Sequence, residues 1–278
     1  MVSLTEIKKK IILLGDGAVG KTSLIRRFVV DKFNDNYLQT VGFKITSKDL
    51  QITADKKVYY LKLNIWDILG QKGYIELHKS SLPGTAGVFL VADITRKDTL
   101  QSIEDYWIPN VQNIVGPVPF VILANKSDLV EDAEFDEEEL RQFAHKYEVS
   151  FYLTSAKTGE NVKNAFQTLG ENILESKELE PPKPAKMEVI EGEESKIAKL
   201  IDKIIVDFCK EYGRSADAMP VLRRQFELAK LDLNRPNPET IRKAIERLAS
   251  VEIGFKNRDT VEANRLKRLK WVKEFELS

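Results

Sequence analysis

The sequence predicts an α/β domain, a mostly parallel sheet flanked by helices, followed by a small all-α domain. Three observations carry that expectation. Short apolar runs at 11–14, 88–92, 118–124 and 151–153 alternate with amphipathic segments, the pattern of strands covered on both faces. A glycine-rich segment, Gly15-Asp16-Gly17-Ala18-Val19-Gly20-Lys21-Thr22, lies between the first run and the first amphipathic segment. Beyond Leu179 the alternation stops, and only helical spacing remains.

Each element has a local reason. Ile11-Ile12-Leu13-Leu14 reads as a buried strand. Leu24, Ile25, Phe28 and Val29 share one helix face. Residues 31–42 are polar and turn-rich and read as an exposed loop. Strands follow at 43–53 and 58–66; the second alternates cleanly, and a turn near Ala54-Asp55-Lys56 makes the pair a hairpin. Its outer member supplies one antiparallel edge strand. After Pro83-Gly84 the run 88–92 is a strand, and 99–115 carries Leu100, Ile103, Trp107 and Val111 at helical spacing, stopped by Gly116-Pro117. The run 118–124 is the next strand. A helix over 136–147 opens with Asp136 and has Glu139 three residues on, close to a capping box. Its acidic start, 131–139, suits the positive end of a helix dipole. A short strand at 151–153 and a closing helix at 161–174 complete the domain, placed at 1–178.

Residues 179–194 hold Glu180-Pro181-Pro182-Lys183-Pro184, which cannot continue a helix and reads as a semi-rigid spacer. From 195 to 278 four amphipathic helices are expected. Ile197, Leu200, Ile201, Ile204, Ile205, Phe208 and Cys209 stripe the first. The second runs over 217–231, and the third begins with Asn237 as cap and Pro238 at its first position. The fourth, 259–275, spaces Leu266, Leu269, Val272 and Phe275 by three. They form a small bundle with its own core.

Composition excludes several classes. Basic and acidic residues balance at 43 each, so no global charge points to nucleic acid. No run of 18 apolar residues occurs, and Met1-Val2-Ser3-Leu4-Thr5-Glu6 has neither a signal core nor the glycine needed for myristoylation. A single cysteine, Cys209, fits a reducing compartment and gives no prenylation box. His78 and His145 are too few for a metal cluster. The expected location is cytoplasmic, with a peripheral membrane position as the alternative.

The glycine segment fits G-x-x-x-x-G-K-[ST] in its required context of strand, loop and helix. Its glycines let the backbone curl so that N–H groups and the helix N-terminus, with Ser23, face a phosphate. Lys21 would reach the β- and γ-phosphates, and the Thr22 hydroxyl would bind Mg²⁺. Asn125-Lys126-Ser127-Asp128 follows a strand where a base-reading loop belongs. The Asp128 carboxylate can accept from guanine N1–H and N2–H₂; adenine would leave it desolvated and unpaired. Lys126 can lay its stem over the base. Ser155-Ala156-Lys157 follows the last strand and can offer the Ala156 N–H to guanine O6. A plain surface turn would explain either loop alone, but not both after successive strands. A P-loop ATPase or nucleotide kinase fails on the Asn-Lys-x-Asp element.

Over residues 7–175 the chain resembles a small GTPase of the Ras superfamily, nearest to the Rab and Ras branches. The resemblance implies a P-loop, Ras-like fold, GTP or GDP as ligand, Mg²⁺, and a molecular switch in signal transduction. It makes Thr40 the threonine that senses Mg²⁺ and the γ-phosphate, Phe33 a neighbour of the guanine edge, and Tyr37 a cover over the phosphates. It gives Asp67 a water-mediated hold on Mg²⁺, the Gly70 N–H a bond to the γ-phosphate, and Gln71 the orientation of the attacking water. Thr22, Thr40 and Asp67 form the metal set; Lys21, Thr40, Gly70 and Gln71 form the catalytic set. Effector, exchange-factor and activating proteins are implied partners.

Three departures stand out. The usual Asp-Thr-Ala-Gly-Gln-Glu is Asp67-Ile68-Leu69-Gly70-Gln71-Lys72, which adds bulk and reverses a charge beside the γ-phosphate. The lipid-bearing C-terminal cysteines are replaced by the helical segment. The first reading is a slow GTP hydrolase; the alternative is a guanine-nucleotide-dependent interaction module with negligible turnover. In the last helix Arg265, Lys267, Arg268, Lys270 and Lys273 surround apolar residues. That pattern fits either a bundle helix with a solvated face or a helix lying on an anionic bilayer.

Overall fold

A computed structural model describes residues 6–33, 43–54, 57–68, 70, 78–79, 81–176, 193–213, 215–233 and 236–277. Tyr37, Thr40, Leu69, Gln71 and Lys72 lie outside these residues. The chain divides into two compact units, one built on a sheet and one on the C-terminal helices.

In the first unit six strands run in the order β2-β3-β1-β4-β5-β6. They are β1 (Glu6–Leu14), β2 (Phe43–Ala54), β3 (Lys57–Ile68), β4 (Gly87–Asp93), β5 (Phe120–Asn125) and β6 (Phe151–Thr154). β1 pairs in parallel with β3 and β4, β4 with β5, and β5 with β6. β2 ends and β3 begins so close together that only an antiparallel hairpin can join them. The expected mixed, mostly parallel sheet is present. Every residue of β4 is buried, as a strand covered on both faces requires.

One face of the sheet packs on α1 (Lys21–Val30) and on α5 (Val162–Glu175), where Ile11, Leu13, Phe89 and Val91 meet Leu24, Ile25, Phe166 and Leu169. Phe28 stacks flat on Phe166 with ring centroids 3.8 Å apart. The alternate strand residues, Ile12, Leu14, Val88 and Leu90, are buried on the other side. Helix α2 (Lys97–Ser102) packs against β4 and runs through a π-helical turn, Ile103–Trp107, into α3 (Ile108–Ile114). The single helix expected over 99–115 is thus interrupted, and such turns often accompany functional sites. Helix α4 (Glu137–Lys146) has the expected capping box: the Asp136 carboxylate accepts from the Glu139 N–H at 2.9 Å, and Glu139 accepts from the Asp136 N–H at 3.4 Å.

The second unit contains α6 (Glu193–Tyr212), α7 (Ser215–Leu228), α8 (Pro238–Glu252) and α9 (Arg258–Glu276). Asn237 caps α8 as expected, accepting from the Thr240 N–H at 3.0 Å. Leu200, Ile201, Ile204, Ile205, Phe208 and Cys209 are buried, in line with the stripe read on α6. Helix α7 begins earlier than the spacing suggested and carries Pro220 as its sixth residue, where proline removes one N–H···O bond of the helix interior.

The last helix differs from expectation. Leu266 is half exposed, whereas Asn264, Arg268 and Val272 are buried. The Arg268 guanidinium bonds Glu252 at 2.6 Å and Asp207 at 2.9 Å, and Lys267 bonds Asp207 at 2.6 Å. Arg265 pairs with Glu246 and Glu262, both at 2.7 Å. With Lys270 3.8 Å from Glu274, four of the five basic residues therefore face carboxylates of this unit. Helix α9 is held by ion pairs as much as by apolar contact. No helix among the described residues is long and apolar enough to cross a membrane.

Candidate nucleotide site

The site sits at the C-terminal ends of β1, β3, β4, β5 and β6, where an open parallel sheet leaves its crevice. β1 ends at Leu14, and the chain turns at Gly15 with φ 142. A side chain at Gly15 would overlap the Val91 carbonyl oxygen, so only glycine lets the loop leave the sheet so close to β4. Ala18 takes a left-handed conformation at φ 62, backbone strain of the kind that collects at ligand sites. Gly20, also at positive φ, then opens α1 at Lys21.

Lys21 is 6% exposed, and its ammonium donates to the carbonyls of Gly15 at 2.8 Å and Asp16 at 2.7 Å. Burial pulls its pKa down to about 8, while the carboxylates of Asp67 and Asp16 pull the other way. Gly70 lies against this ammonium, since a Cβ there would strike Nζ and the Gly15 and Asp16 carbonyls. The Thr22 hydroxyl donates to Asp67 Oδ2 at 2.6 Å. A hydroxyl and a buried carboxylate side by side, next to a phosphate-binding loop, are the hard oxygen donors a Mg²⁺–phosphate complex uses. Among the described residues no group of three His, Cys, Asp or Glu forms a metal cluster. Lys21, Thr22, Asp67 and Gly70 are brought together.

The residues expected to read a base are also brought together. Asn125 ends β5, and its amide donates to the Val19 carbonyl at 2.8 Å while its oxygen accepts from the Ala156 N–H at 3.2 Å. One side chain thus ties together the phosphate loop, the Asn-Lys-Ser-Asp loop and the Ser-Ala-Lys loop. Lys126 holds φ 70, which turns the chain into the 3₁₀ turn of Ser127–Asp132. Asp128 accepts from the Ser155 hydroxyl at 2.5 Å, and Lys157 lies 3.8 Å from its other oxygen. That leaves the carboxylate oriented by two neighbours rather than free to swing. Phe33 is half-buried and packs at the edge of the sheet core.

Several residues of this site escaped the sequence reading. The Asp16 carboxylate is held by the Trp107 indole N–H and the Ser102 hydroxyl, both at 2.8 Å. Arg27 donates to the carbonyls of Ala156 at 2.9 Å and Lys157 at 2.5 Å, fastening α1 to the Ser-Ala-Lys loop. Asp93, wholly buried at the end of β4, pairs with Lys126 at 2.5 Å and Arg96 at 3.1 Å. Burial opposes its ionisation, yet the hydrogen bonds from Lys126 and Thr95 outweigh that and hold its pKa below the usual value. A lone carboxylate closing an otherwise apolar strand was the signal that could have found Asp93.

The chain matches the family described as Ras family over residues 10–175. Similar proteins include the Ras-related protein Rab-13 of Canis lupus familiaris, 35% identical over 59% of this chain and 79% of that protein. The Ras-related protein Rab-4A of Rattus norvegicus is 34% identical over 62% and 78%, and the Ras-related protein Rab-8B of Homo sapiens is 34% identical over 59% and 78%.

Proposed function

The chain belongs to the Ras family, and on that premise we propose that it binds GTP and GDP with Mg²⁺ and hydrolyses GTP slowly as a molecular switch. The observation that carries this reading is the Asn125 side chain, bonded at once to Val19 and Ala156. It supports a site whose phosphate end and base end are one rigid frame.

In this reading Lys21 gives up its loop carbonyls for the β- and γ-phosphate oxygens, and the buried positive charge gains an anionic partner. Thr22 and Asp67 would hold Mg²⁺, which supplies charge neutralisation at the phosphates. Gly70 brings its N–H beside Lys21, and only a glycine allows that approach. Asp128, oriented by Ser155, accepts from the guanine edge and selects against adenine. Lys126, anchored on Asp93, lies along the base plane. Phe33, Tyr37 and Thr40 take the roles their resemblance implies, and Gln71 orients the water.

Asp67-Ile68-Leu69-Gly70-Gln71-Lys72 sets the rate. The proposal assigns no arginine of this chain to the γ-phosphate, and an arginine finger from a partner contributes roughly 10³ to 10⁵ in rate. Unassisted hydrolysis is therefore slow. The proline-containing segment before Glu193 is read as a spacer, and the helices that follow as a protein-interaction domain. Single-turnover cleavage of GTP by the full chain tests the reading. Slow release of phosphate, suppressed by Gln71→Leu, is the expected result. Tight GTP binding with no cleavage leaves the interaction module without turnover. Equal competition by ATP removes the guanine-nucleotide reading altogether.

A further inference from the structure

β4 is apolar from Gly87 to Ala92 and then ends on a carboxylate, Asp93, with no exposed surface. A charge placed there costs several kcal/mol in principle unless partners surround it. They do. Oδ1 accepts from the Thr95 N–H at 3.1 Å and the Thr95 hydroxyl at 2.8 Å. Oδ2 accepts from Arg96 Nε at 3.1 Å and from the Lys126 ammonium at 2.5 Å. The other arm of Arg96 reaches away from Asp93, and Nη2 donates to the Gly17 carbonyl at 2.9 Å. A continuous line of bonds therefore runs from the phosphate loop at Gly17, through Arg96 and Asp93, to Lys126 in the base-reading loop.

The choice of arginine fits this geometry. A guanidinium presents donors in a fixed fork, so one side chain bonds a carboxylate and a carbonyl in different directions. A lysine at 96 has one ammonium and would have to choose. Arg96 is partly exposed, so a purely surface role would leave it in water rather than on a main-chain oxygen of the phosphate loop. Asn125 already joins the same two loops from below through Val19. Arg96 adds a second tie on the Gly17 side.

We infer that Arg96 is a positioning residue of the nucleotide site, coupling the phosphate loop to the base-reading loop through Asp93 so that both release the nucleotide together. The inference rests on the guanine-nucleotide reading above. Its consequence is kinetic: nucleotide leaves only when the Gly17 and Lys126 loops open in concert, and removing Arg96 lets them open one at a time.

The test is release of a fluorescent GDP from the full chain with Mg²⁺, chased by excess GDP, for wild type, Arg96→Ala, Arg96→Lys, Lys126→Ala and the Arg96→Ala/Lys126→Ala pair. Arg96→Ala should accelerate release roughly tenfold or more, the scale of one charge-assisted hydrogen bond. Arg96→Lys should fall between, because it keeps the charge and loses the fork. In the Lys126→Ala background the same Arg96→Ala change should add less than about threefold, because the far end of the relay is already gone. A residue that merely supported the fold would give factors that multiply and no graded rescue by lysine. Release at the wild-type rate in Arg96→Ala, or multiplying factors, overturns the inference alone. Failure of the wild-type chain to retain labelled GDP overturns the guanine-nucleotide reading, and this inference with it.

Discussion

If the chain binds GDP as proposed, Lys21 should make that binding a proton-uptake reaction above neutral pH. Its ammonium is buried on two loop carbonyls, and burial lowers its pKa from the ordinary 10.5 to about 8. That gap corresponds to about 3 kcal/mol against the charged form. Phosphate oxygens bring negative charge to Nζ and return the pKa toward its ordinary value. The sign follows directly. At a pH between about 8 and 10.5 the free site has lost the proton and the loaded site has it, so binding takes one up, and affinity falls as pH rises through 8. At pH 8, where guanine keeps its own N1 proton, uptake should be about half a proton, and at pH 7 about a tenth. Titration calorimetry of GDP–Mg²⁺ in two buffers of different ionisation enthalpy reads this number. Heats independent of buffer at pH 8 would refute the argument, showing that the two carbonyls and the neighbouring carboxylates keep Lys21 charged despite burial.

Asp128→Ala removes the acceptor that Ser155 orients, and it should cut GDP affinity by a hundredfold or more, on the order expected for a lost charged hydrogen-bonding pair, while inosine nucleotides lose less. Competition binding checks this. Glu252→Ala leaves the buried Arg268 guanidinium short of a carboxylate, and it should destabilise the C-terminal helices by about 3 to 5 kcal/mol. Hydrogen exchange along α8 and α9 reports it, and replacing both residues by apolar ones of similar volume should restore much of the protection. Leu69→Ala should raise the single-turnover cleavage rate if leucine's bulk crowds the γ-phosphate; an unchanged rate would mean that the leucine is accommodated.

The arrangement of the candidate site was legible where its geometry is local. Gly15 to Thr22 lie within one turn of chain, so the sequence alone sets the loop, the helix start and the lysine that faces it. Asn125 to Asp128 and Ser155 to Lys157 were legible because each follows an apolar run whose burial fixes where the strand ends. Strand alternation in β3 and the capping box at Asp136 were equally local, and the structure keeps both. The π-helical turn at Ile103–Trp107 was not visible, since a helix with one wider turn keeps nearly the same spacing of apolar residues.

Other features required the packed chain. Asp93, Arg96, Ser102 and Trp107 carry no nucleotide motif, and they matter because β4 and the helix after it run alongside the phosphate loop. Nothing in their own neighbourhood of sequence names Gly17 or Asp16 as a partner. The last helix makes the same point. Its spacing of three offered Leu266, Leu269, Val272 and Phe275 as an inner stripe, yet Leu266 faces water and Arg268 is buried. Periodicity gives the faces of a helix but not which face turns inward when a basic stripe can be neutralised. That choice was made by Asp207 and Glu252, carboxylates on α6 and α8 that only the folded bundle brings within reach of Arg268.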